Sequence, residues 1–328
     1  MKNIASNLIT IVIPSKIIDS NLKNCVSKIR KFYNSIEIYL VLDEKNQKIF
    51  DKDKNIQILI SGKKTIGYKR NIAVKKVNTK YVCFIDSDAY PNSYWLNKVD
   101  ELFKISNKIG AVGGPNLSPN TNNLEKKLVS RMRKNSFVTL NKKTKDKNAS
   151  PGFIEFLPSC NLIVKTSLYK KCKGMYEKLY SGEEISLNYN IKKLGYKILF
   201  DPEIYVFHMD RNFKHYARQR FIYGSTGFKL FLKFPCFQSF QLLIASAPFL
   251  YLLLFPIILL NNKMIFPYLS IQIVLFIFCL IDAVRINYMN NLLKSLKLVL
   301  ISIYAPGVGF ISSILLNNYF IGKFYTQK

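Results

Sequence analysis

The sequence predicts an α/β domain with a mostly parallel, Rossmann-like sheet, followed by helices long enough to cross a membrane. Two observations lead to this fold class. Short β-branched runs alternate with helical patterns over residues 1–115, and charged residues disappear for long stretches after Phe234. Strands that are almost continuously Ile and Val, with helices between them, indicate a parallel sheet covered on both faces. An uncharged run of 29 residues, 234–262, is long enough to cross a bilayer.

The periodicity predicts six strands and five helices. The strands are Ile9–Ile13, Ile36–Leu42, Ile56–Ile60, Tyr81–Ile85, Ile154–Val164 and Lys197–Phe207. The helices are Asn21–Tyr33, Arg70–Val77, Leu124–Lys134, Glu184–Leu194 and Arg211–Lys233. Arg211–Lys233 is basic and aromatic, and is therefore expected to lie along a membrane surface.

The chain is therefore expected to consist of an α/β domain over 1–233 and a membrane region over 234–328. The membrane region contains two or three hydrophobic helices, at about 237–260, 264–281 and 298–320. Each is also compatible with a buried helix of a soluble protein, but three in one short tail favour an integral, multi-pass membrane protein. Positive charge between the second and third segments places the amino-terminal domain and the 282–297 loop in the cytoplasm.

The net charge of +29 is concentrated before the membrane region. From Phe234 onward six residues are positive and one is negative, so residues 1–233 carry +24. Such a field favours anionic partners, which include nucleic acid, lipid headgroups and nucleotide-linked substrates. Abundant Lys on a solvated surface is the alternative explanation. The six cysteines contain no C-x-x-C pair, so the spacing predicts neither a zinc site nor a disulfide framework.

Asp86-Ser87-Asp88 is the most informative motif, because it directly follows the apolar strand Tyr81–Ile85. Open α/β sheets bind ligands at the carboxyl ends of their strands. Mg²⁺ and Mn²⁺ prefer oxygen ligands and often share them with substrate phosphates. The motif therefore predicts a site that binds a metal ion and a diphosphate, although a solvated turn has the same sequence.

Other polar residues are expected to lie at the same edge of the sheet. Pro14 and Asp43 follow the first and second strands, and Lys69-Arg70 lies where a helix opens, a position that suits an anionic ligand. Farther along the chain, Glu183-Glu184 begins a helix and His208 ends a strand. Helix capping and a structural histidine are the alternatives for these two.

The order of these motifs resembles the family 2 glycosyltransferases with a GT-A fold, in their membrane-anchored form, over roughly residues 9–230. The motifs that carry the resemblance are, in order, Ile11-Val12-Ile13-Pro14, Asp43, Lys69-Arg70-Asn71, Phe84-Ile85-Asp86-Ser87-Asp88, Cys160-Asn161, Gly182-Glu183-Glu184, Gly195-Tyr196, Pro202-Glu203 and His208.

The resemblance implies a role for each matching residue. Donor binding falls to Pro14, Asp43, Arg70 and Asp86, with Asp43 at the nucleobase. Mn²⁺ or Mg²⁺ would be held by Asp88, Asp86 and His208, and Glu184, with Glu183 as its neighbour, would be the general base.

Three departures from the family pattern bear on these roles. Glu184 stands where the family usually has Asp, so the base is either Glu183 or Glu184. Asp43-Glu44 replaces a common Asp-Asp-Gly-Ser run. Ile222 stands where processive polysaccharide synthases have the Arg of Gln-x-x-Arg-Trp, which favours transfer of one sugar or a few.

The resemblance implies an inverting, metal-dependent glycosyltransferase of polysaccharide or glycoconjugate synthesis. It would move a sugar from a nucleotide-sugar donor to a lipid-linked or saccharide acceptor next to membrane lipids, without nucleic acid. A polyprenyl-phosphate sugar synthase is the alternative enzyme, and a basic membrane protein that binds anionic lipid or nucleic acid is the alternative outside enzymes. A dinucleotide oxidoreductase is disfavoured because no G-x-G-x-x-G follows the first strand.

Overall fold

The structure is a computed structural model that describes residues 7–44, 49–139 and 142–315. Its strands are β1 Ile9–Pro14, β2 Glu37–Leu42, β3 Ile56–Ile60, β4 Tyr81–Phe84, β5 Ala89–Pro91, β6 Ile109–Gly113, β7 Asn116–Leu117, β8 Gly152–Ile154, β9 Leu162–Lys165, β10 Lys197–Phe200 and β11 Val206–His208.

The helices are α1 Ser20–Phe32, α2 Ile66–Val74, α3 Val99–Lys104, α4 Leu124–Asn135, α5 Thr166–Lys171, α6 Glu183–Lys193, α7 Phe213–Lys233, α8 Phe237–Ile244, α9 Ala247–Leu252, α10 Phe255–Ile258, α11 Asn262–Ile286 and α12 Leu292–Leu315. Two 3₁₀ turns lie at Lys142–Lys145 and Ser159–Asn161. These elements form two compact units. The first runs up to Pro119 and continues over Lys143–Met209, and the second joins Asn120–Lys142 to the chain from Asp210 onward.

An eight-stranded sheet in the order β3-β2-β1-β4-β9-β6-β10-β8 forms the first unit. The strands β3, β2, β1 and β4 pair in parallel, as do β6 and β10, whereas β9 lies antiparallel to both of its neighbours. The predicted α/β class with a mostly parallel sheet is therefore confirmed, and the antiparallel strands β8 and β9 make the sheet mixed.

The sheet buries both of its faces, and the alternation within each strand explains how. In β1, Ile11 and Ile13 lie in one core with α1, while Val12 lies in the other core with α2 and α6. Successive side chains of a strand point to opposite faces, so a strand that is apolar at every position needs helices on both sides. The near-continuous Ile and Val of this strand thus account for the layered architecture.

The predicted strand Lys197–Phe207 is wrong as a single element. It is two strands, β10 in the large sheet and β11 in a second sheet of order β5-β11-β7. Between them Pro202 has no N–H to donate, and the Asp201 carboxylate accepts a hydrogen bond from the Glu203 N–H, with 2.8 Å between the heavy atoms. In the same way, the 3₁₀ turn Ser159–Asn161 interrupts the predicted strand Ile154–Val164 and separates β8 from β9.

The second unit is helical. Two of its helices in the described part of the chain, α11 and α12, are long and apolar enough to cross a membrane. They contain the predicted segment 264–281 and, as far as Leu315, the predicted segment 298–320. The predicted segment 237–260 is divided among α8, α9 and α10, each too short to cross alone.

Close packing holds this unit together. At Gly224 the backbone of α7 lies against the backbone of α12 at Pro306, and Gly309 of α12 lies against Phe221 in the same way, so a methyl group at either glycine would collide with a carbonyl. Small residues at such crossings let helices approach closely in lipid as well as in water.

A buried carboxylate connects α11 to the segment after α4 within the same unit. Asp282 accepts hydrogen bonds from the Ser136 hydroxyl and the Phe137 N–H, with 2.5 and 2.9 Å between the heavy atoms. Arg131 of α4 also donates to the Ile286 carbonyl at 2.9 Å. Because a buried charge is tolerated only with partners, these contacts determine where the end of α11 lies.

Candidate active site

The carboxyl ends of β1 and β2 are joined by Lys69 of α2. Its ammonium group donates to the Ser15 carbonyl after β1 and lies 2.5 Å from Oδ1 of Asp43 after β2. Burial lowers the pKa of Lys69 although Asp43 opposes the shift. Pro14, the last residue of β1, lies opposite Val41 at the same edge. The predicted convergence of these strand ends is present, and Lys69 is the side chain that connects them.

Arg70, the next residue of α2, joins the end of β4 to the start of α6. Its Nη2 lies 2.6 Å from Oδ1 of Asp86, and its Nη1 lies 2.6 Å from Oε1 of Glu183. The Arg70 side chain is only 1% exposed. Burial disfavours the guanidinium charge, but Asp86 and Glu183 outweigh this effect and raise the pKa of Arg70. Arg70 is thus an internal ion bridge between two acidic residues.

Asn71, the third residue of this run, holds the loop that leads to α6. Its amide donates to the Met175 carbonyl and to the Glu177 carboxylate, both at 2.7 Å, and its Oδ1 accepts from the Met175 N–H at 2.9 Å. Gly174 has a φ of +72°, and a methyl group there would meet the Asn71 amide. The Lys69-Arg70-Asn71 run therefore ties α2 to five separate parts of the first unit, namely the ends of β1, β2 and β4, the start of α6 and the loop before it.

Glu183 and Glu184 lie next to each other but in different surroundings. Glu183 is buried and paired with Arg70. Glu184 is half-buried, and no cation pairs with it among the residues that the structure describes. Burial, with the nearby charge of Glu183, raises the pKa of Glu184 to about 8. Gly182 begins this helix with a φ of +82°, a backbone conformation that favours glycine.

Asp86, Asp88 and His208 form a cluster after the end of β4. The His208 Nε2 lies 3.3 Å from Oδ1 of Asp88 and 3.7 Å from Oδ2 of Asp86. The antiparallel pairing of β5 and β11 produces this arrangement, since it places His208 opposite Ala89, directly after Asp88. Burial opposes the charge of Asp86, but the hydrogen bond to His208 and the charge of Arg70 outweigh it and lower the Asp86 pKa.

Cys160 lies at this same cluster, which the sequence did not predict. Its Sγ, a carboxylate oxygen of Asp86 and a ring nitrogen of His208 all lie within 4.8 Å of one another. The sequence contained Cys160 within a motif, but the absence of a paired cysteine gave no reason to consider it a ligand. The sequence predicts that Lys69 suits an anionic ligand, whereas in the structure its ammonium group binds Asp43 and the Ser15 carbonyl.

The structure thus brings the predicted residues together in two groups that share Asp86. One group contains Asp86, Asp88 and His208, and the other contains Arg70, Glu183 and the adjacent Glu184. Asp43 and Pro14 lie at the neighbouring strand ends, which Lys69 connects. Arg70 thus binds Oδ1 of Asp86, whereas His208 approaches Oδ2 of the same carboxylate.

Residues 10–172 match the family model for Glycosyl transferase family 2. No protein in the search of curated proteins matches the sequence.

Among solved structures, the chain is similar to the mannosyltransferase PcManGT from Pyrobaculum calidifontis in complex with GDP-Man and Mn²⁺. The two are 10% identical with a TM-score of 0.56, and the match covers 93% of this chain and 86% of that one. This TM-score indicates a shared fold.

Two further structures are matched less closely. S. aureus TarS 1-349 in complex with UDP-GlcNAc is 15% identical with a TM-score of 0.46, and the match covers 71% of this chain and 69% of that one. GalNAc-T7 with UDP, GalNAc and Mn²⁺ is 15% identical with a TM-score of 0.47, and the match covers 66% of this chain. The chain spans half the length of that GalNAc-T7 structure, 50%.

Proposed function

This chain belongs to glycosyltransferase family 2 and has a GT-A fold, and we propose that it is a metal-dependent, inverting enzyme. It moves a sugar from a nucleotide-sugar donor to a lipid-linked or other membrane-proximal acceptor. The observation that carries this proposal is that one buried guanidinium, that of Arg70, connects the two groups of acidic residues. Arg70 pairs with Asp86, which belongs to the cluster of Asp86, Asp88 and His208, here named the cation cluster. It also pairs with Glu183, the neighbour of Glu184.

A divalent cation fits the cluster at the end of β4. Carboxylate oxygens of Asp86 and Asp88 lie 3.7 and 3.3 Å from the His208 imidazole nitrogen, so oxygen and nitrogen donors surround His208. Mn²⁺ accepts such oxygen and imidazole ligands, and Mg²⁺ accepts the oxygens. When bound there, the ion offsets the negative charge that develops on the diphosphate leaving group.

The donor nucleotide is proposed to lie across the ends of β1, β2 and β4. Asp43 accepts a hydrogen bond from the nucleobase, and Pro14 lies at the end of the adjacent strand. Lys69 holds Asp43 in place through an ion pair of 2.5 Å. Arg70 is buried between Asp86 and Glu183, so its contribution to donor binding is to orient Asp86 rather than to expose a charge to the ligand.

Glu184 is proposed as the general base. Its carboxylate takes the proton of the acceptor hydroxyl while the hydroxyl oxygen bonds to the anomeric carbon, and the bond from that carbon to the diphosphate oxygen breaks. A raised pKa suits this role, because a base works best when its pKa is close to the working pH. Attack opposite the leaving group inverts the anomeric carbon, by the logic of single displacement.

Attachment to a membrane is proposed from the helical unit. Besides α11 and α12, the segment that contains the apolar helices α8 to α10 contacts α11, where the rings of Tyr251 and Tyr268 stack at 4.9 Å. Together these three short helices would supply a third crossing. The positive residues Arg285, Lys294 and Lys297 flank the connection from α11 to α12, and this charge supports a cytoplasmic position for that connection and for the transferase domain.

The test is release of nucleoside diphosphate by the detergent-purified chain with UDP-, GDP- and dTDP-sugars. Each donor is assayed with Mn²⁺, with Mg²⁺ and with EDTA, with and without a crude membrane lipid extract as acceptor. The proposal expects release with one donor, loss of release in EDTA and an increase with lipid. No release and no donor binding by titration would contradict it, while donor binding without release would show that the acceptor is missing.

A further inference from the structure

The cation cluster contains a thiol that a site for hard cations does not need. Cys160 is buried, and its Sγ lies within 4.8 Å of a carboxylate oxygen of Asp86 and a ring nitrogen of His208. A sulfur ligand adds little affinity for Mg²⁺ or Mn²⁺, whereas thiolate, imidazole and carboxylate together are the donor set of zinc sites.

The position of Cys160 is set by its neighbour Asn161. The Asn161 amide donates to the Ile204 carbonyl at 2.8 Å, and its Oδ1 accepts from the Trp95 indole N–H at 2.9 Å. Ile204 is two residues before β11, the strand that ends at His208. The 3₁₀ turn that carries Cys160 is therefore fastened to the segment that carries His208, so the sulfur and the imidazole are held at the same place.

We infer that Asp86, Cys160 and His208 form a zinc site that overlaps the site for the catalytic cation. Tetrahedral zinc has bonds of about 2.0–2.3 Å, so its ligand atoms lie about 3.3–3.8 Å apart. The distance of 3.7 Å between His208 Nε2 and Asp86 Oδ2 already meets this spacing. The Cys160 Sγ needs to move by about 1 Å at most, which is within the range of side-chain rotation.

Binding of zinc to this site releases one proton. The Cys160 thiol gives its proton to solvent and its sulfur bonds to the metal as thiolate, with no change of oxidation state. The fourth ligand is either a water molecule or Asp88, whose Oδ1 lies 3.3 Å from His208 Nε2. Zn²⁺ exceeds Mn²⁺ in affinity for such sites, so micromolar zinc is expected to compete with an excess of the hard cation.

The consequence is inhibition, and this part of the inference rests on the proposed function. Zinc and the catalytic cation share Asp86 and His208, so they cannot be bound together. Zinc bound by Cys160 also lies closer to the protein sulfur than the catalytic cation would. Its remaining coordination positions therefore no longer suit a diphosphate. The enzyme is therefore expected to lose activity in free zinc and to recover it when a chelator selective for zinc is added.

Co²⁺ titration of the detergent-purified chain tests the binding directly, without any activity. Cobalt accepts the same ligands as zinc, and a bound thiolate gives a sulfur-to-cobalt charge-transfer band in the near ultraviolet. The native chain should show this band, and Zn²⁺ should remove it. Cys160→Ser should lose the band and bind Zn²⁺ about tenfold more weakly or worse. Cys172→Ser, which changes a buried cysteine outside the cluster, should keep both.

A charge-transfer band in Cys160→Ser, or equal zinc affinity of this variant and the native chain, would overturn the inference. Cys160→Ala is prepared as a second variant, and protection of Cys160 from alkylation by Zn²⁺ in the native chain gives a reading that needs no variant. Zinc inhibition, normalised to the activity of each variant, is measured last. A chain that binds cobalt through sulfur but transfers no sugar would contradict the proposed function and leave the zinc site standing.

Discussion

The Glu183 carboxylate is held in a buried ion pair by Arg70, with 2.6 Å between Oε1 and Nη1. The same guanidinium also binds Asp86 at 2.6 Å. Glu183 is therefore suited to positioning, and the neighbouring Glu184, which lacks such a partner in the described part of the chain, is suited to proton transfer.

Glu183→Gln is expected to destabilise the chain, because it leaves the buried charge of Arg70 with one partner instead of two. Removing one member of a buried pair costs about 3–5 kcal/mol. The melting temperature in detergent should fall clearly. Glu155→Gln is the matched control, since Glu155 pairs with Lys192 at the surface and such pairs are worth about 0–1 kcal/mol. Equal melting temperatures of the two variants would contradict a stabilising role for the ion pair between Arg70 and Glu183.

Glu184→Gln is expected to reduce kcat by about 10²–10⁴-fold, the usual contribution of a general base. The Kd for the nucleotide-sugar donor should stay within about twofold, because the amide keeps the size of the side chain and Glu184 is not a donor ligand. Titration of the donor and steady-state transfer are measured on the same preparation. A mild loss of kcat would favour a phosphate acceptor, which needs little help from a base, and so a polyprenyl-phosphate sugar synthase.

Transfer is expected to increase with pH up to about 8. Burial and the charge of Glu183 raise the pKa of Glu184 to about 8, and only the ionised carboxylate accepts a proton. Below that pH the value of kcat/KM should therefore fall about tenfold per unit, and above it the profile should level off. The profile is measured at saturating metal. A rate that is flat from pH 6 to pH 9 would show that Glu184 does not titrate in the rate-limiting step.

Asp88→Asn is expected to weaken binding of Mn²⁺ by about tenfold or more, since it removes one of the three charged or imidazole donors. Added EDTA should abolish transfer by the native chain, and excess Mn²⁺ should restore it. Free Mn²⁺ is measured by electron paramagnetic resonance, which is independent of activity. Asp100→Asn is the control, because Asp100 pairs with Lys80 at the surface, away from the cluster. Unchanged Mn²⁺ affinity of the Asp88 variant would argue against this ligand.

Asp282→Ala is expected to destabilise the helical unit. The change leaves the Ser136 hydroxyl and the Phe137 N–H without their acceptor, and a buried polar group without a partner costs about 1–3 kcal/mol. Ser136→Ala removes one of the two donors and should cost less. Thermal unfolding in detergent measures both variants. The double variant should lose less than the sum of the two, because the two changes share one contact.

Much of the fold follows from the sequence alone. The apolar strands β1 and β4 are buried on both faces, which their composition requires, and helices therefore had to cover both sides. The position of the Asp86-Ser87-Asp88 motif also follows from the sequence. The residues that follow a buried strand such as β4 lie at the carboxyl end of the sheet. The helices of membrane-spanning length follow from the absence of charge over long runs.

Contacts between distant parts of the chain decided the rest. The position of His208 beside Asp88 depends on the pairing of β5 with β11, two short strands whose sequences contain no signal that they pair. The same holds for Cys160, which reaches the cluster because Asn161 bonds to the segment before β11. Local periodicity determines which residues enter a strand or a helix, but it carries no information about which strands become neighbours.

The sequence by itself therefore determined the fold class, the order of the motifs and the edge of the sheet at which they meet. Only the tertiary structure distinguished Glu183 from Glu184, since the two residues are adjacent, identical in type and both in the first turn of α6. Their difference comes from Arg70, more than a hundred residues earlier in the chain. The charge state of a carboxylate depends on burial and on cations within a few ångströms, and these are properties of the folded chain.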